Sequence, residues 1–243
     1  MLAVIIPIFR KELPNEEIEN LKHSLGFLKG TKIFFIHPSS LDLSFYKLKF
    51  TNFSFSSFPD KFFKNIEGYN KLMTSNDFYR KFLDFEFMLI LQTDAILNAP
   101  INLAEEFEFD YIGAPWISPF TLSNFHFGAG YAFFAGRVLA KMGIGTPVQV
   151  GNGGLSLRRT SAFSAALHSA ELLSLRRNNM PEDIFFAGLG SIYDFLRVAD
   201  LDTAHKFFCE GNCSNSDPLH SKGYHALSKY NPLLRRDVLE RKL

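Results

Sequence analysis

One short run limits the possible folds of this chain more than any other. Phe87-Met88-Leu89-Ile90-Leu91 is apolar throughout, with no polar residue on alternate positions. A strand that reads this way is covered on both faces, which calls for helices on either side of a sheet. The run stops abruptly at Gln92-Thr93-Asp94. In open α/β sheets, ligands bind in the crevice outside the carboxyl ends of the strands. A carboxylate at that point can hold a divalent cation, and the cation a diphosphate. The competing role for a lone Asp after a strand is to cap the next turn or helix.

The flanking segments agree with an α/β plan. Leu2 to Phe9 (LAVIIPIF) reads as a first strand. Ile18, Leu21, Leu25 and Leu28 recur at helical spacing after Pro14. Lys32 to Ile36 is the next strand, stopped by His37-Pro38. Strand, helix, strand in that order favours a parallel sheet with a right-handed crossover. Phe53 to Ser56 alternates like a half-buried strand, and Asn70 to Leu83 reads as one helix. Tyr111 to Trp116 is a short strand running into a turn. Residues 118–151 are rich in Gly, Phe and Ala, which predicts a mobile segment able to close over a ligand. Val150 to Gly154 reads as a glycine loop before a strand, Thr160 to Asn178 as a helix, and Pro181 to Phe186 as the start of another. The charged stretch from Tyr230 to Leu243 is a candidate helix.

Bulk properties exclude several classes. With 243 residues and 47% hydrophobic content, the chain can bury one sizeable core, and a single large domain is expected. A net charge of +1 gives no field to recruit nucleic acid. The opening apolar stretch is too short to span a membrane and lacks a charged leader, so the expected location is cytoplasmic. Cys209 and Cys213 are not spaced as a zinc knuckle or redox pair, and two free thiols are expected.

Four constellations carry candidate chemistry. Gln92-Thr93-Asp94 is the first. Gly151-Asn152-Gly153-Gly154 is the second; its glycines let a ligand approach the backbone, or simply form a tight turn. Arg158 and Arg159 follow, available to pair with phosphate or to decorate a strand end. Glu182-Asp183 is the third: acids in a first helical turn gain from the helix dipole, or one of them serves as general base toward an acceptor hydroxyl. His220 and His225 form the fourth as metal-ligand candidates. Trp116, the only tryptophan, suits either a core position or stacking on a sugar or base.

Taken together and in order, Tyr69–Leu97, DYIGAPW (Asp110–Trp116), VGNGGLSLRR (Val150–Arg159), PEDIFF (Pro181–Phe186) and FFCEGN…PLHSKGYHAL (Phe207–Leu227) resemble a bacterial domain family of formally unknown function grouped with the GT-A glycosyltransferases. The resemblance implies a single GT-A-like domain with a mostly parallel central sheet flanked by helices. Its nucleotide-binding half would span about residues 1–100 and its acceptor-side half about residues 101–230. It implies a UDP-sugar or similar nucleotide-diphosphate donor, a divalent metal (manganese or magnesium), and inverting transfer to a hydroxyl of a glycan or lipid-linked glycan acceptor, as in surface polysaccharide synthesis. Pro7, Asn70, Gln92, Thr93, Asp94 and Arg158 would line the donor, and Trp116, Asn152, Gly153 and Gly154 the acceptor. Asp94 would stand at the last Asp of the family's D-x-D motif, with Gln92 replacing the first. Asp183 would be the base, with Glu182 as alternative, and His225 a metal ligand, with His220 as competitor. A non-catalytic carbohydrate- or nucleotide-binding protein on the same fold is the alternative. Arg235, Arg236, Arg241 and Lys242 beside Leu and Val make the final segment either an amphipathic contact at the inner face of a membrane or a solvated helix.

Overall fold

The computed structural model describes residues 1–51, 53–103, 108–122, 142–176, 180–211 and 220–240. Its centre is a six-stranded sheet in the order β3-β2-β1-β4-β7-β6. The strands are β1 (Leu2–Pro7), β2 (Lys32–Pro38), β3 (Ser54–Phe58), β4 (Phe87–Leu91), β6 (Tyr111–Leu122) and β7 (Thr146–Arg159). Strands β3, β2, β1 and β4 pair in parallel; β7 runs antiparallel to both β4 and β6.

The apolar run in β4 is buried at every position because both faces of the sheet are covered. Met88 and Ile90 join Ala3 and Ile5 in one core, under helices α3 (Ile66–Met73), α4 (Asn76–Arg80), α5 (Thr160–His168) and α7 (Glu182–Ser191). Leu89 and Leu91 join Val4 and Ile6 in the other, under α1 (Asn15–Gly26), α2 (Ser44–Lys49) and α8 (Leu201–Phe207). The side-chain period of two along each strand thus feeds two separate cores.

A second, three-stranded sheet carries the order β5-β9-β8, from Ile96–Leu97, Gly223–His225 and Phe208–Glu210. Strand β5 begins two residues after Asp94 and pairs antiparallel with β9, so the turn after β4 is tied to the strand that ends in His225.

Several local expectations are corrected. The stretch from Asn70 to Leu83 is two short helices, because the Ser75 side chain accepts from the Phe78 backbone N–H and starts a new helix. Thr160 to Asn178 is likewise divided, at Ser169, into α5 and α6 (Ala170–Leu175); residues 177–179 lie outside the described set. The glycine segment 151–154 is not a loop: it lies inside the 14-residue strand β7. Of the stretch expected to be mobile, residues 118–122 and 146–151 belong to β6 and β7, and residues 123–141 lie outside the described set. Cys209 is disulfide-bonded, not a free thiol; Cys213 lies outside the described residues.

The final helix α10 (Pro232–Glu240), after the short α9 (Leu227–Tyr230), docks on the body of the molecule. Leu234 and Val238 are buried in a small core with Ile96, Tyr224 and Leu227. Arg235 bonds the Asn20 side chain, the Glu16 carbonyl and Glu19, all on α1, each at 2.9 Å. The apolar face is therefore used inside the molecule. No helix among the described residues is long and apolar enough to cross a membrane.

Candidate functional site

The site is built around Gly153 and Gly154 on β7, where that strand passes the carboxyl end of β4. The Gln92 N–H donates to the Gly154 carbonyl at 2.9 Å. Successive residues on a strand face opposite sides, and here each side meets a different cluster.

On the Gly153 side lies a buried ion pair. Arg158 has no exposed surface and grips Glu182 through both terminal nitrogens, at 2.9 and 3.0 Å. The same guanidinium donates to the Tyr79 hydroxyl and, through Nε, to Ser156. A Cβ on Gly153 would collide with the Glu182 carboxylate, so glycine is what lets the acid reach Arg158. Burial opposes the arginine's charge, but Glu182 outweighs it and holds the guanidinium firmly protonated. This arrangement corrects two expectations. Arg158 is enclosed beneath the site instead of lining a donor phosphate, and Glu182 is occupied by it.

Asp183, the next residue, is only partly buried. Its carboxylate accepts from the Ile184 N–H at 2.8 Å and from the Gly153 backbone. Burial, and then the neighbouring Glu182 charge, push its pKa up to about 7. Asn70, expected to touch a donor, instead accepts from the Glu182 N–H at 3.3 Å and so satisfies the first turn of α7.

The Gly154 side holds Gln92, Asp94 and His225. His225 Nε2 stands 3.5 Å from Asp94 Oδ1 and 3.4 Å from Gln92 Oε1. Its Nδ1 faces Glu210 at 3.7 Å, its in-register neighbour across β8 and β9. Burial pushes the imidazole down, but the two carboxylates outweigh it and raise the pKa to about 9. Burial pushes the Asp94 carboxyl up, yet His225 and Arg10 leave it below the ordinary carboxylate value. His220 is exposed and His225, not His220, faces Asp94.

These three donors suit a divalent cation. Cis ligands at about 2.1 Å from a metal lie roughly 3 Å apart, so separations of 3.4 and 3.5 Å need only small side-chain movements. A Cβ on Gly154 would press into both the His225 ring and the Gln92 carbonyl, so glycine keeps this cradle open. Among the described residues no three His, Cys, Asp or Glu side chains gather around one point; the third donor here is an amide.

A cleft of about 400 Å³ opens beside these donors at the ends of β1 and β4. Pro7, Tyr69, Gln92, Thr93 and Asp94 line it, with Arg10 and Lys64 as its cations and Phe9 and Ile66 as exposed apolar wall. Thr93 donates to Glu17, which pairs with Arg10 at 2.6 Å. Sequence reasoning missed Arg10, Lys64, Tyr69 and Glu210 as site residues. Arg10 follows the first strand closely and Glu210 sits inside a quoted motif; each was in view without an assigned partner.

The Tyr69 hydroxyl is buried between the clusters, facing Gln92, and its pKa is raised by burial and then by Glu182 and Asp183. Asn152 does not face open space. It donates to Glu210 at 2.9 Å and accepts from the Gly154 N–H at 2.9 Å, which replaces its expected acceptor contact. Trp116 lies over Gly151 and packs, partly buried, against the core.

Known structures share this architecture. An active-site variant of LgtC superposes with a TM-score of 0.55 at 12% identity, over 98% of this chain and 94% of the other. The galactosyltransferase LgtC in complex with donor and acceptor sugar analogues gives 0.51 at 11%, over 98% and 95%. The bifunctional glycosyltransferase WbbM gives 0.51 at 12%, over 92% of this chain but only 45% of its own length. These likenesses show that the fold is of the GT-A glycosyltransferase type. No curated protein sequence matches the chain. A family model covers residues 52–225, the span holding β4, the Gly153–Gly154 segment, the acidic pair and His225, and by that match the chain belongs to the DUF5672 family, described as proteins of unknown function.

Proposed function

We propose that this protein is a glycosyltransferase that moves a sugar from a nucleotide-diphosphate donor to a hydroxyl of a glycan acceptor. The observation that carries the reading is the meeting, at Gly153 and Gly154, of a carboxylate with a pKa of about 7 and a cation cradle beside an open cleft. A pKa near the working pH is what a general base needs, since it must both take a proton and release it.

Asp183 fills that role. Glu182 is held by Arg158, so of the two neighbouring acids only Asp183 is free to accept the hydroxyl proton. Its Oδ1 is fixed by the Ile184 N–H, which aims the carboxylate. A base acting in line with departure of the leaving group inverts the anomeric centre.

Asp94, His225 and Gln92 would hold a divalent cation, manganese or magnesium, which supplies charge neutralisation for a leaving diphosphate. Arg10 and Lys64 add positive charge to the same cleft, and Phe9 offers a face for the donor's base. A lipid-linked glycan and a role in surface polysaccharide synthesis remain part of this proposal.

Gln92 supports a second reading, a binding protein on the same fold, because an amide brings less charge to a cation than a carboxylate. Incubation with a panel of UDP-, GDP- and dTDP-sugars and manganese separates the two. Release of nucleoside diphosphate, lost in Asp183→Asn, supports the enzyme. Metal-dependent thermal stabilisation by a nucleotide without any turnover of any donor supports the binder.

A further inference from the structure

Outside the residues that would touch donor, acceptor or cation, one side chain is placed where it controls the cradle. Glu210 and His225 are paired neighbours in the parallel β8–β9 ladder, and the Glu210 carboxylate faces Nδ1 of the ring at 3.7 Å. Nδ1 is buried and has no hydrogen bond of good geometry. Nε2, on the other side of the ring, faces Asp94 and Gln92.

Glu210 is itself held. The Asn152 amide donates to its Oε1 at 2.9 Å, and the Asn152 oxygen is fixed by the Gly154 N–H. A chain of contacts thus runs from the backbone of β7, through Asn152 and Glu210, to the far nitrogen of His225. The Glu210 side chain is largely buried, 14% exposed, so its charge acts on the ring with little screening.

An imidazole binds a cation through one nitrogen only when the proton sits on the other. A carboxylate facing Nδ1 keeps the proton there, leaves the Nε2 lone pair toward Asp94 and Gln92, and makes that nitrogen a stronger donor. With a neutral amide at position 92, the cradle itself has a single carboxylate, Asp94. A second negative charge one shell away then matters more than it would beside two acids.

We infer that Glu210 is a positioning residue for cation binding: held by Asn152, it fixes the tautomer of His225 so that Nε2 joins Asp94 and Gln92 as a ligand. This rests on the cation-binding part of the proposed function.

The test uses the full chain and Mn2+ alone, with no donor, in isothermal titration calorimetry of wild type, Glu210→Gln and Glu210→Ala. Glu210→Gln keeps the shape and removes the charge; because Oε1 both accepts from Asn152 and faces Nδ1, the amide either leaves an uncharged oxygen there or turns its NH2 to Nδ1 and selects the wrong tautomer, and each weakens Nε2 as a ligand. The expected result is a roughly 10- to 100-fold weaker Mn2+ affinity in both variants, with the metal-free melting temperature of Glu210→Gln within about 2 °C of wild type. In wild type loaded with Mg2+, the 15N signals of His225 should show Nδ1 protonated and Nε2 not. Wild-type affinity retained in Glu210→Gln overturns the inference while leaving the cation reading intact. A proton on Nε2 in the loaded protein also overturns it. No Mn2+ binding by wild type overturns the cation reading and this inference with it.

Discussion

The two sides of β7 at Gly153 and Gly154 hold charged groups under opposite conditions. On the Gly153 side, Arg158 and Glu182 meet at 2.9 and 3.0 Å, with Tyr79 and Ser156 completing the guanidinium's partners. On the Gly154 side, His225 stands 3.4 to 3.7 Å from Gln92, Asp94 and Glu210, and the Asp94 side chain is 46% exposed. The first cluster is saturated by its own protein. The second is spaced more widely than hydrogen bonds require and opens on a cleft. A close, dry ion pair fixes a backbone; a looser set of donors leaves room for something else to complete it. Asp183 borders the dry side: burial and the Glu182 charge raise its pKa, and the Ile184 and Gly153 backbone hold its carboxylate.

Breaking the dry side should have the largest effect. Arg158→Ala leaves the buried Glu182 charge unpaired and should cost about 3–5 kcal/mol of stability, measured by urea unfolding. A loss no bigger than a surface substitution gives would mean the pair does not organise this half. Replacing both partners, Arg158→Met with Glu182→Leu, should recover most of that loss.

At the border of that side, Asp183→Asn should lower turnover by about 10²-fold or more and at the same time stabilise the fold. The folded pKa of about 7 lies above the ordinary value near 3.8, so the native state holds this proton more tightly than the unfolded chain. Stability tied to that proton is present at low pH and is lost as pH rises toward 7. Melting curves should therefore show Asp183→Asn above wild type at pH 8 and level with it at pH 4. The rate of wild type should climb with pH through about 7. Equal melting temperatures at both pH values would place Asp183 in an ordinary solvated setting.

On the open side the effects should fall on ligands and spare the fold. Asp94→Asn should abolish the manganese dependence of nucleotide binding while shifting stability by no more than about 0.5 kcal/mol. Unchanged metal affinity would take Asp94 out of the cradle. The smallest effect is expected at the cleft wall, where Arg10→Ala should weaken nucleoside diphosphate binding about tenfold, or roughly 1.4 kcal/mol. Titration calorimetry reads both.

The same contrast explains what could be read from the chain alone. The β1 and β4 strands follow from local pattern, because burial on both faces writes itself into five or six consecutive apolar residues, and α1 follows from apolar residues at helical spacing. Asp94 at the end of β4 followed from that pattern too. Strand β7 did not, since its glycines are there for side chains that arrive from elsewhere: Glu182 against Gly153, His225 against Gly154. Locally those glycines read as a turn. Partnerships such as Arg158 with Glu182, or Glu210 with His225, join residues from different elements, and charge type alone does not say which acid meets which base. Arg158 therefore looked available to a phosphate when the fold had already enclosed it.

The docking of α10 bears on how this protein can be shortened. The family match stops at residue 225, but the small core under Tyr224 is closed by Leu227, Leu234 and Val238, which come after it. Arg235 also fastens the last helix to α1, the helix whose Glu17 holds Thr93 and Arg10 at the cleft. A chain cut after residue 225 would keep every proposed ligand and lose the cover over the strand that presents His225. The family match ends at the proposed ligand His225, and the packing that holds that strand in place extends at least one helix further.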